Sequence, residues 1–228
     1  MDKTRNEWET SLFRIMSFNR LVEIFQRREL YFSHPSNWED PYETILSHKY
    51  ANAFFAQCWC KKGVSDAMWR IYSPHQIAVL IRTTPETLKS QMNKAAKKLS
   101  FRFMIEDVKY LRQAQVESEM RAAAQKLRAR FNADVAAKTL FFKRDAFSHE
   151  SEVRVVVYPN RMSKNVEFSS GIRIPIDPYE LIRVVLVDPR APQAYVDAYK
   201  YYLQAKLGYR RNILKSMLYS SPESIVAL

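Results

Sequence analysis

The sequence predicts an α+β fold in which helices are inserted between the strands of a largely antiparallel sheet. Short apolar segments rich in Val, Ile, Phe and Tyr alternate with amphipathic segments of helical period, and no internal repeat interrupts them. The 228 residues, 47% of them hydrophobic, are enough to bury a full core. We therefore expect one domain over residues 1–228, with a helical insertion or lobe at about 84–137.

The first half of the chain alternates strands with short helices. Strands are predicted at Leu12–Met16, Glu29–Ser33, Ala53–Lys61 and Gln76–Arg82. Ser17 and Ser65 are predicted to cap the helices that follow the first and third of these strands, because a serine side chain accepts a hydrogen bond from a free amide of the first turn. Thr84 followed by Pro85 starts a further helix.

The second half begins with the clearest long helix. It is predicted at Gln113–Ala137 from an apolar stripe that includes Val116, Met120 and Leu127. Further strands are predicted at Ser151–Pro159, near Val166, at Ile172–Ile176 and at Leu181–Val187. A last amphipathic helix is predicted at Pro192–Leu207.

The composition excludes several classes of protein. Three glycines leave no GxGxxG or Walker phosphate loop, and no apolar run approaches the length of about 18 residues that a membrane span needs. The first nine residues are polar and lack a signal-peptide core, so a cytoplasmic location is expected. Cys58 and Cys60 suit neither a zinc ribbon nor a redox pair, and the four histidines lack ligand spacing, so no metal is expected.

The charge is strongly basic, with a net charge of +12 and a pI near 9.7. Such an excess favours an acidic partner, and RNA, DNA or an acidic protein are the candidates. The predicted nucleic-acid contacts are the clustered cations Lys94, Lys97, Lys98, Arg210 and Arg211. The alternative is a solvated basic surface without a dedicated partner.

A segment near residue 150 combines charge with an apolar strand. The apolar run Val153–Val157 is predicted to be a buried strand, and side-chain alternation then places Glu150, Glu152 and Arg154 on one face. Two carboxylates and a guanidinium beside a core are costly to bury unless paired, and pKa values shift at such places. The segment is therefore a candidate site, with a purely structural salt-bridge ladder as the alternative.

Four blocks of the sequence together resemble an uncharacterised bacterial and phage family, domain of unknown function 2971. They are Leu30-Tyr-Phe-Ser-x-Pro-Ser-x-Trp-x-Asp-Pro-x-Glu43, the strand Phe55–Cys58, Met68-Trp-x-x-Tyr72, and Lys143 followed by Phe147-x-x-Glu-x-Glu-x-Arg154. Two departures stand out. Phe147 replaces the usual Trp, and a glycine-free Ile77–Ile81 replaces the usual strand.

A more distant resemblance is to the ADP-ribosyltransferases. Leu12-Phe-Arg14 before a helix, Tyr31-Phe-Ser33 on a second strand and a late Glu-x-Glu strand follow the order of that family. The resemblance implies a split, mostly antiparallel sheet and NAD as substrate, with Arg14 holding the NAD ribose or phosphates and Tyr31 and Ser33 near the cofactor. It also implies that Glu152 stabilises the cationic ribose as nicotinamide leaves, with Glu150 as its helper.

Polar and aromatic residues from several strands converge at binding sites, so one cleft is expected to hold most of these residues. Its predicted members are Arg14, Tyr31, Ser33, Trp69, Lys143 and Glu152, and Tyr72 is a further candidate for binding the cofactor together with Trp69 and Lys143. Simpler interpretations stay open: Trp69 and Tyr72 as packing residues, and Asp40 and Glu43 as residues that order the Pro35–Pro41 loop.

Two functional hypotheses follow. The first is an NAD-dependent ADP-ribosyltransferase that modifies nucleic acid or protein as a toxin or phage-defence effector, with an antitoxin or another protein as a candidate partner. The second is a non-catalytic basic protein that binds nucleic acid or a partner and uses Glu150, Glu152 and Arg154 structurally. Consumption of NAD distinguishes the two.

Overall fold

The structure is a computed structural model that describes residues 10–63, 65–163 and 167–221. The strands are β1 Leu12–Met16, β2 Glu29–Ser33, β3 Phe55–Cys60, β4 Val79–Thr83, β5 Phe101–Asp107, β6 Lys109–Leu111, β7 Phe142–Arg144, β8 Glu152–Pro159, β9 Gly171–Pro175, β10 Val184–Val187 and β11 Asn212–Lys215. The helices are α1 Phe18–Arg27, α2 Asp66–Tyr72, α3 Pro85–Leu99, α4 Gln113–Ala129, α5 Ala133–Thr139, α6 Pro178–Leu181 and α7 Gln193–Tyr201. The predicted strand near Val166 lies outside the described residues.

Nine of these strands form one sheet in the order β11-β10-β4-β1-β3-β2-β9, and β8 joins it through β3 and carries β5. Every pair in this sheet is antiparallel except β10 with β11. A separate parallel pair joins β6 to β7. The predicted α+β architecture, with helices inserted around a largely antiparallel sheet, is confirmed.

The sheet is split beside β3. On one side β3 pairs along its whole length with β8, from Phe55–Val157 to Cys60–Glu152. On its other side β3 pairs with β1 at Phe13–Cys60 and with β2 at Ser33–Ala56. Between these two points β1 and β3 separate, and this gap opens the main cleft of the protein.

The largest part of the core lies under α1, α3 and α7. These helices contribute buried residues such as Leu21, Phe25, Leu88, Met92 and Val196, which pack on the apolar faces of the strands. Burial of each such side chain contributes roughly 1.5–3 kcal/mol. The helix starts follow the sequence signals, because the side chains of Ser17, Ser65 and Thr84 accept backbone N–H bonds at the starts of α1, α2 and α3.

The prediction of one long helix at Gln113–Ala137 is wrong, because the structure has two helices there. Arg130 adopts an extended conformation and ends α4, and the Asn132 side chain then accepts N–H bonds from Asp134 and Val135 to start α5. Asparagine favours caps over helix interiors because its side chain competes for backbone hydrogen bonds.

The segment predicted as a helical lobe also contributes to the sheet. Residues 84–137 include α3, α4 and part of α5, but β5 lies between them and pairs with β8 from Phe101–Pro159 to Asp107–Val153. A single domain with an insertion at this place stays a prediction. Within the described residues, each helix is too short or too polar to cross a bilayer.

Candidate active site

The main cleft has a volume of about 760 Å³ and lies where β1 and β3 separate. Its walls come from β1, the start of α1, the loop after β2, β3, α2 and the segment from β7 to β8. The lining residues come from two separate stretches of the chain, 13–80 and 143–154, so the cleft exists only in the folded sheet.

Five charged side chains form an ion cluster at one wall of the cleft. The Arg154 guanidinium donates to both oxygens of Glu152, with Nε 2.6 Å from Oε1 and Nη2 2.9 Å from Oε2, and it also contacts Glu43. Lys143 Nζ lies 2.5 Å from Glu150 Oε2, 3.4 Å from Glu152 Oε2 and 3.6 Å from Glu43 Oε1. A further Arg154 bond reaches the Leu140 carbonyl at 2.7 Å.

The ion cluster is buried, with side-chain exposures from 1% for Arg154 to 11% for Glu150. Burial works against the charge of Glu152, but the opposing charges of Arg154 and Lys143 outweigh it and lower the pKa of Glu152. For Glu43 the balance is reversed: burial raises its pKa although Arg154 and Lys143 act against the shift. The cluster therefore keeps Glu152 ionised and makes Glu43 a weaker acid than Glu152.

The predicted strand face holds for Glu152 and Arg154, which both lie on β8, but Glu150 reaches the cluster by a different route. Glu150 ends the 3₁₀ segment Asp145–Glu150, and β8 begins only at Glu152. Ser151 between them has φ 44°, a left-handed conformation that turns the chain. The two carboxylates converge because Lys143 binds both, not because they alternate along one strand.

Arg14 on β1 faces the same cleft from the opposite side of the split. Its Nη1 atom is buried and has no hydrogen-bond partner among the described residues. Burial lowers the pKa of Arg14, and the charge of Arg20 lowers it further, while Cys58 and Glu152 act in the opposite sense. An unsatisfied guanidinium nitrogen in a cleft is a ready contact for an anionic ligand.

Cys58 on β3 lies between these groups. Burial raises the pKa of its thiol, and the nearby charge of Glu152 raises it further, so the thiol stays protonated at neutral pH. The neutral thiol therefore adds no negative charge beside the Glu152 carboxylate. Cys58 and Cys60 both carry free thiols.

Aromatic rings line the rest of the cleft. The Trp38 ring centroid lies 4.1 Å from the guanidinium carbon of Arg154, and the Phe147 ring lies 4.9 Å from Lys143 Nζ. Tyr72, at the end of α2, is 46% exposed at the cleft. Its exposed ring can stack on a planar ligand group.

Six of the predicted site residues border this cleft: Arg14, Trp69, Tyr72, Lys143, Glu150 and Glu152. Trp69 does so as a fully buried core residue that packs with Phe13 and Leu80, which fits the packing interpretation. The structure brings the six side chains to one cleft, and their functional roles stay predictions.

The structure does not bring Tyr31 and Ser33 into the cleft, and their predicted place there is corrected. Side chains alternate along β2, so Phe32 is fully buried while Tyr31 and Ser33 point to the opposite, open face. Gln57 on β3 donates from Nε2 to the Tyr31 carbonyl at 2.9 Å and fills the space between β2 and β3.

Trp38, Glu43 and Cys58 are among the lining residues that were not identified as site residues from the sequence. Trp38 and Glu43 lie in the first of the four blocks quoted above, where Glu43 was expected only to order the loop. Asp40 does order that loop, because it accepts the Tyr42 N–H and pairs with Arg144 at 3.0 Å. Glu43 instead enters the ion cluster, a long-range contact that its local sequence does not signal.

The predicted nucleic-acid residues are all on the surface and none lines the cleft. Lys94, Lys97 and Lys98 lie on α3, where Lys94 pairs with Glu180 at 2.8 Å, and Arg210 and Arg211 precede β11. Their nucleic-acid contacts stay a prediction. Among the described residues, no group of His, Cys, Asp and Glu side chains is arranged to hold a metal ion.

Comparison with known proteins gives one family match. Residues 68–155 match the family model described as "Protein of unknown function (DUF2971)", which confirms the resemblance seen in the sequence over this range. A search of curated protein sequences found none that matches the chain.

Among solved structures, the chain is similar to DarT from Thermus sp. 2.9. The complex with ADP-ribosylated ssDNA has a TM-score of 0.44 at 11% identity, covering 92% of this chain and 95% of that chain. The NAD+ complex has a TM-score of 0.42 at 12% identity, covering 91% and 94%. The carba-NAD+ complex has the same TM-score and identity and covers 91% and 96%.

Proposed function

We propose that the protein is an NAD-dependent ADP-ribosyltransferase. One observation carries the proposal: Glu152, which is ionised, and Arg14, whose Nη1 atom has no hydrogen-bond partner among the described residues, line the same cleft at the split of an antiparallel sheet. A carboxylate suits a cationic sugar centre, and a guanidinium N–H suits a phosphate or ribose oxygen.

The cleft fits a dinucleotide in size and in chemistry. Its volume of about 760 Å³ falls within the range of roughly 300–1,000 Å³ that is common for small-molecule sites. The ion cluster combines three carboxylates with two cations and thus has an excess of one negative charge when all are ionised. This excess is complementary to the positive nicotinamide ring of NAD, which the Tyr72 and Trp38 rings can contact.

Glu152 is assigned the central role in bond cleavage. When the bond between ribose C1′ and the nicotinamide nitrogen breaks, the electron pair leaves with nicotinamide, which becomes neutral, and positive charge develops on the ribose. Glu152 stabilises that charge and is held in place by Arg154 and Lys143, so little reorganisation is needed during the reaction.

Glu150 is assigned to the acceptor. A hydroxyl or ring nitrogen of the acceptor forms the new bond to C1′, and its proton passes to the Glu150 carboxylate. Glu150 borders the cleft and, among the described residues, pairs with one cation, Lys143, whereas Glu152 is bound by two. Glu150 is thus the less constrained of the two carboxylates.

The direct test is nicotinamide release from NAD by the purified protein, with and without nucleic acid and protein acceptors. We expect release by the wild type and transfer of the ADP-ribose label to an acceptor. Absence of NAD consumption under all these conditions, by a protein that is folded by circular dichroism, would reject the proposal.

We extend the proposal to a toxin or phage-defence role, in which the acceptor is nucleic acid or protein of the host or of an invader. Induced expression of the wild type should then arrest bacterial growth, and Glu152→Gln should relieve the arrest at equal protein level. Equal growth arrest by the wild type and by Glu152→Gln would show that the toxicity does not depend on cleavage of NAD.

The second candidate is a non-catalytic basic binding protein. The pairing of charges within the ion cluster favours it. Each charged member of the cluster has an opposite charge within 4 Å, as a purely structural network would. A wild type that never consumes NAD but binds nucleic acid tightly would establish this candidate instead.

A further inference from the structure

The pair β2–β9 presents an open sheet face next to the cleft. The two strands pair antiparallel from Glu29–Pro175 to Ser33–Gly171. Leu30 and Phe32 point into the core, so the alternate residues of β2 point to the other face, together with their direct partners on β9. This second face carries Tyr31 opposite Arg173, and Arg173 is solvent-exposed.

Tyr31 lies closely over β9 because the residue there is a glycine. A Cβ atom built on Gly171 would lie 2.2 Å from the Tyr31 hydroxyl oxygen and 2.5 Å from the Phe32 carbonyl oxygen. Any side chain at position 171 would therefore displace the ring. One of the three glycines of the chain is thus used to keep an aromatic ring against the sheet surface.

Two arginines lie over the same ring. The guanidinium carbon of Arg173 is 5.6 Å from the Tyr31 ring centroid, and that of Arg20 is 5.9 Å from it. Arg173 is paired with Glu23 at 2.6 Å, whereas Arg20 has no ion pair among the described residues. Arg20 also borders the cleft, so the ring and its cations are continuous with the cleft mouth.

We propose that Arg20, Tyr31 and Arg173, here called the stacking face, bind a single-stranded nucleic acid that is the ADP-ribose acceptor; its role as acceptor rests on the proposed function. Unpaired bases stack on aromatic rings and on guanidinium planes, and arginines at the same place bind the adjoining phosphates. An acidic peptide could satisfy the arginines but has no use for the ring between them. The net charge of +12 adds general attraction for a polyanion.

The proposal also explains the Tyr-Phe-Ser block that the cleft does not use. Phe32 is a core residue, and Tyr31 and Ser33 form part of the open face along which a strand can approach the cleft. A strand lying on Tyr31 passes Arg20 and reaches the cleft wall that Arg20 shares with Arg14. A base or sugar of that strand would then meet the ribose of NAD.

The first test measures binding without NAD, by fluorescence anisotropy of labelled single-stranded RNA and DNA of about 12 nucleotides. Tyr31→Ala should weaken binding by about 5- to 150-fold, the effect of losing one stacked base. Tyr31→Phe keeps the ring and should bind like the wild type. Arg173→Ala should weaken binding and reduce the slope of log affinity against log salt by about 1.

Arg121→Ala is the matched control. Arg121 is an exposed arginine paired with a glutamate, as Arg173 is, but it lies on α4 and away from the stacking face. Its replacement should leave binding unchanged. Unchanged binding by both Tyr31→Ala and Arg173→Ala, or equal losses in Arg121→Ala, would overturn the proposal.

The second test separates the acceptor site from the NAD site. Because Tyr31 and Arg173 lie outside the cleft, their variants should release nicotinamide to water at the wild-type rate but transfer less ADP-ribose to the oligonucleotide. A parallel loss of both activities would place Tyr31 in the NAD site and reject the inference. If oligonucleotide binding depends on Tyr31 and Arg173 but NAD is never consumed, the stacking face stands as a nucleic-acid site and only the proposed function fails.

Discussion

The Arg154 guanidinium binds both carboxylate oxygens of Glu152, at 2.6 and 2.9 Å, at a site where the arginine side chain is 1% exposed. A bidentate pair fixes the plane of the carboxylate as well as its position. The carboxylate is thus oriented before any ligand arrives, and its orientation depends on Arg154 more than on its own backbone.

Glu152→Gln tests the central carboxylate. It removes the charge next to the developing ribose cation, so nicotinamide release should fall by on the order of 10²–10³. Because Glu152 is buried and paired, the variant also breaks its charged pairs with Arg154 and Lys143, and a stability loss of about 3–5 kcal/mol is expected. Turnover must therefore be normalised to the folded fraction, measured by chemical denaturation. A folded Glu152→Gln with full turnover would contradict the assignment.

Glu150→Gln should separate cleavage from transfer. Glutamine cannot accept the acceptor's proton, so transfer to an oligonucleotide or protein should fall by about 10²–10⁴, the usual range for a general base. Nicotinamide release to water should change much less. The ratio of transferred ADP-ribose to released nicotinamide is the measurement, and an unchanged ratio would remove Glu150 from the acceptor step.

Arg14→Met should lower affinity for NAD without lowering stability. The Nη1 atom of Arg14 makes no hydrogen bond among the described residues, so an apolar chain of similar length removes an unsatisfied buried polar atom. We expect the melting temperature to stay equal or rise, and the KM for NAD to rise about tenfold or more, as for loss of one charged contact. Arg121→Ala serves as the control for general charge effects. A large loss of stability would indicate a structural arginine.

Glu43→Gln should flatten the pH dependence of stability. Burial raises the pKa of Glu43, so the folded state binds its proton more tightly than the unfolded state does. That contribution to stability is complete below the unfolded pKa and is lost as pH rises through the folded pKa, with a slope of at most about 1.4 kcal/mol per pH unit. Arg154, Lys143 and Glu152 are the charged groups that surround it.

The free energy of unfolding of both proteins, measured by denaturant titration from weakly acidic to neutral pH, checks this prediction. The free energy of unfolding of the wild type, relative to that of Glu43→Gln, should decrease steadily as pH rises. A difference that is constant with pH would show that Glu43 has an ordinary pKa in the folded state.

Local signals in the sequence were sufficient for much of the fold. The strands Leu12–Met16 and Glu29–Ser33 and the caps Ser17 and Thr84 are found as predicted, because each depends on neighbouring residues alone. The break at Arg130 between α4 and α5 was missed, since the apolar stripe of the helix continues through it. Asn132 was the available signal, as a cap residue inside a helical pattern.

The candidate site was predictable only in part. Glu150, Glu152, Arg154 and Lys143 could be grouped because they are close in sequence. The entry of Glu43 into the same cluster, and the exclusion of Tyr31 from the cleft, depend on how β2, β3 and β8 are arranged in space. The alternation of β2 gives the two faces of the strand, but only the sheet order shows which face meets the cleft.

The split sheet also has a consequence for protein synthesis. Arg14 lies on the first strand of the described chain, whereas Glu152 begins β8, after all of α1 to α5. A ribosome must therefore synthesise the chain through β8 before the two sides of the cleft can meet. A chain that stops before β8 contains the guanidinium without its carboxylate, so a transferase activity that harms the producing cell would be absent from such fragments.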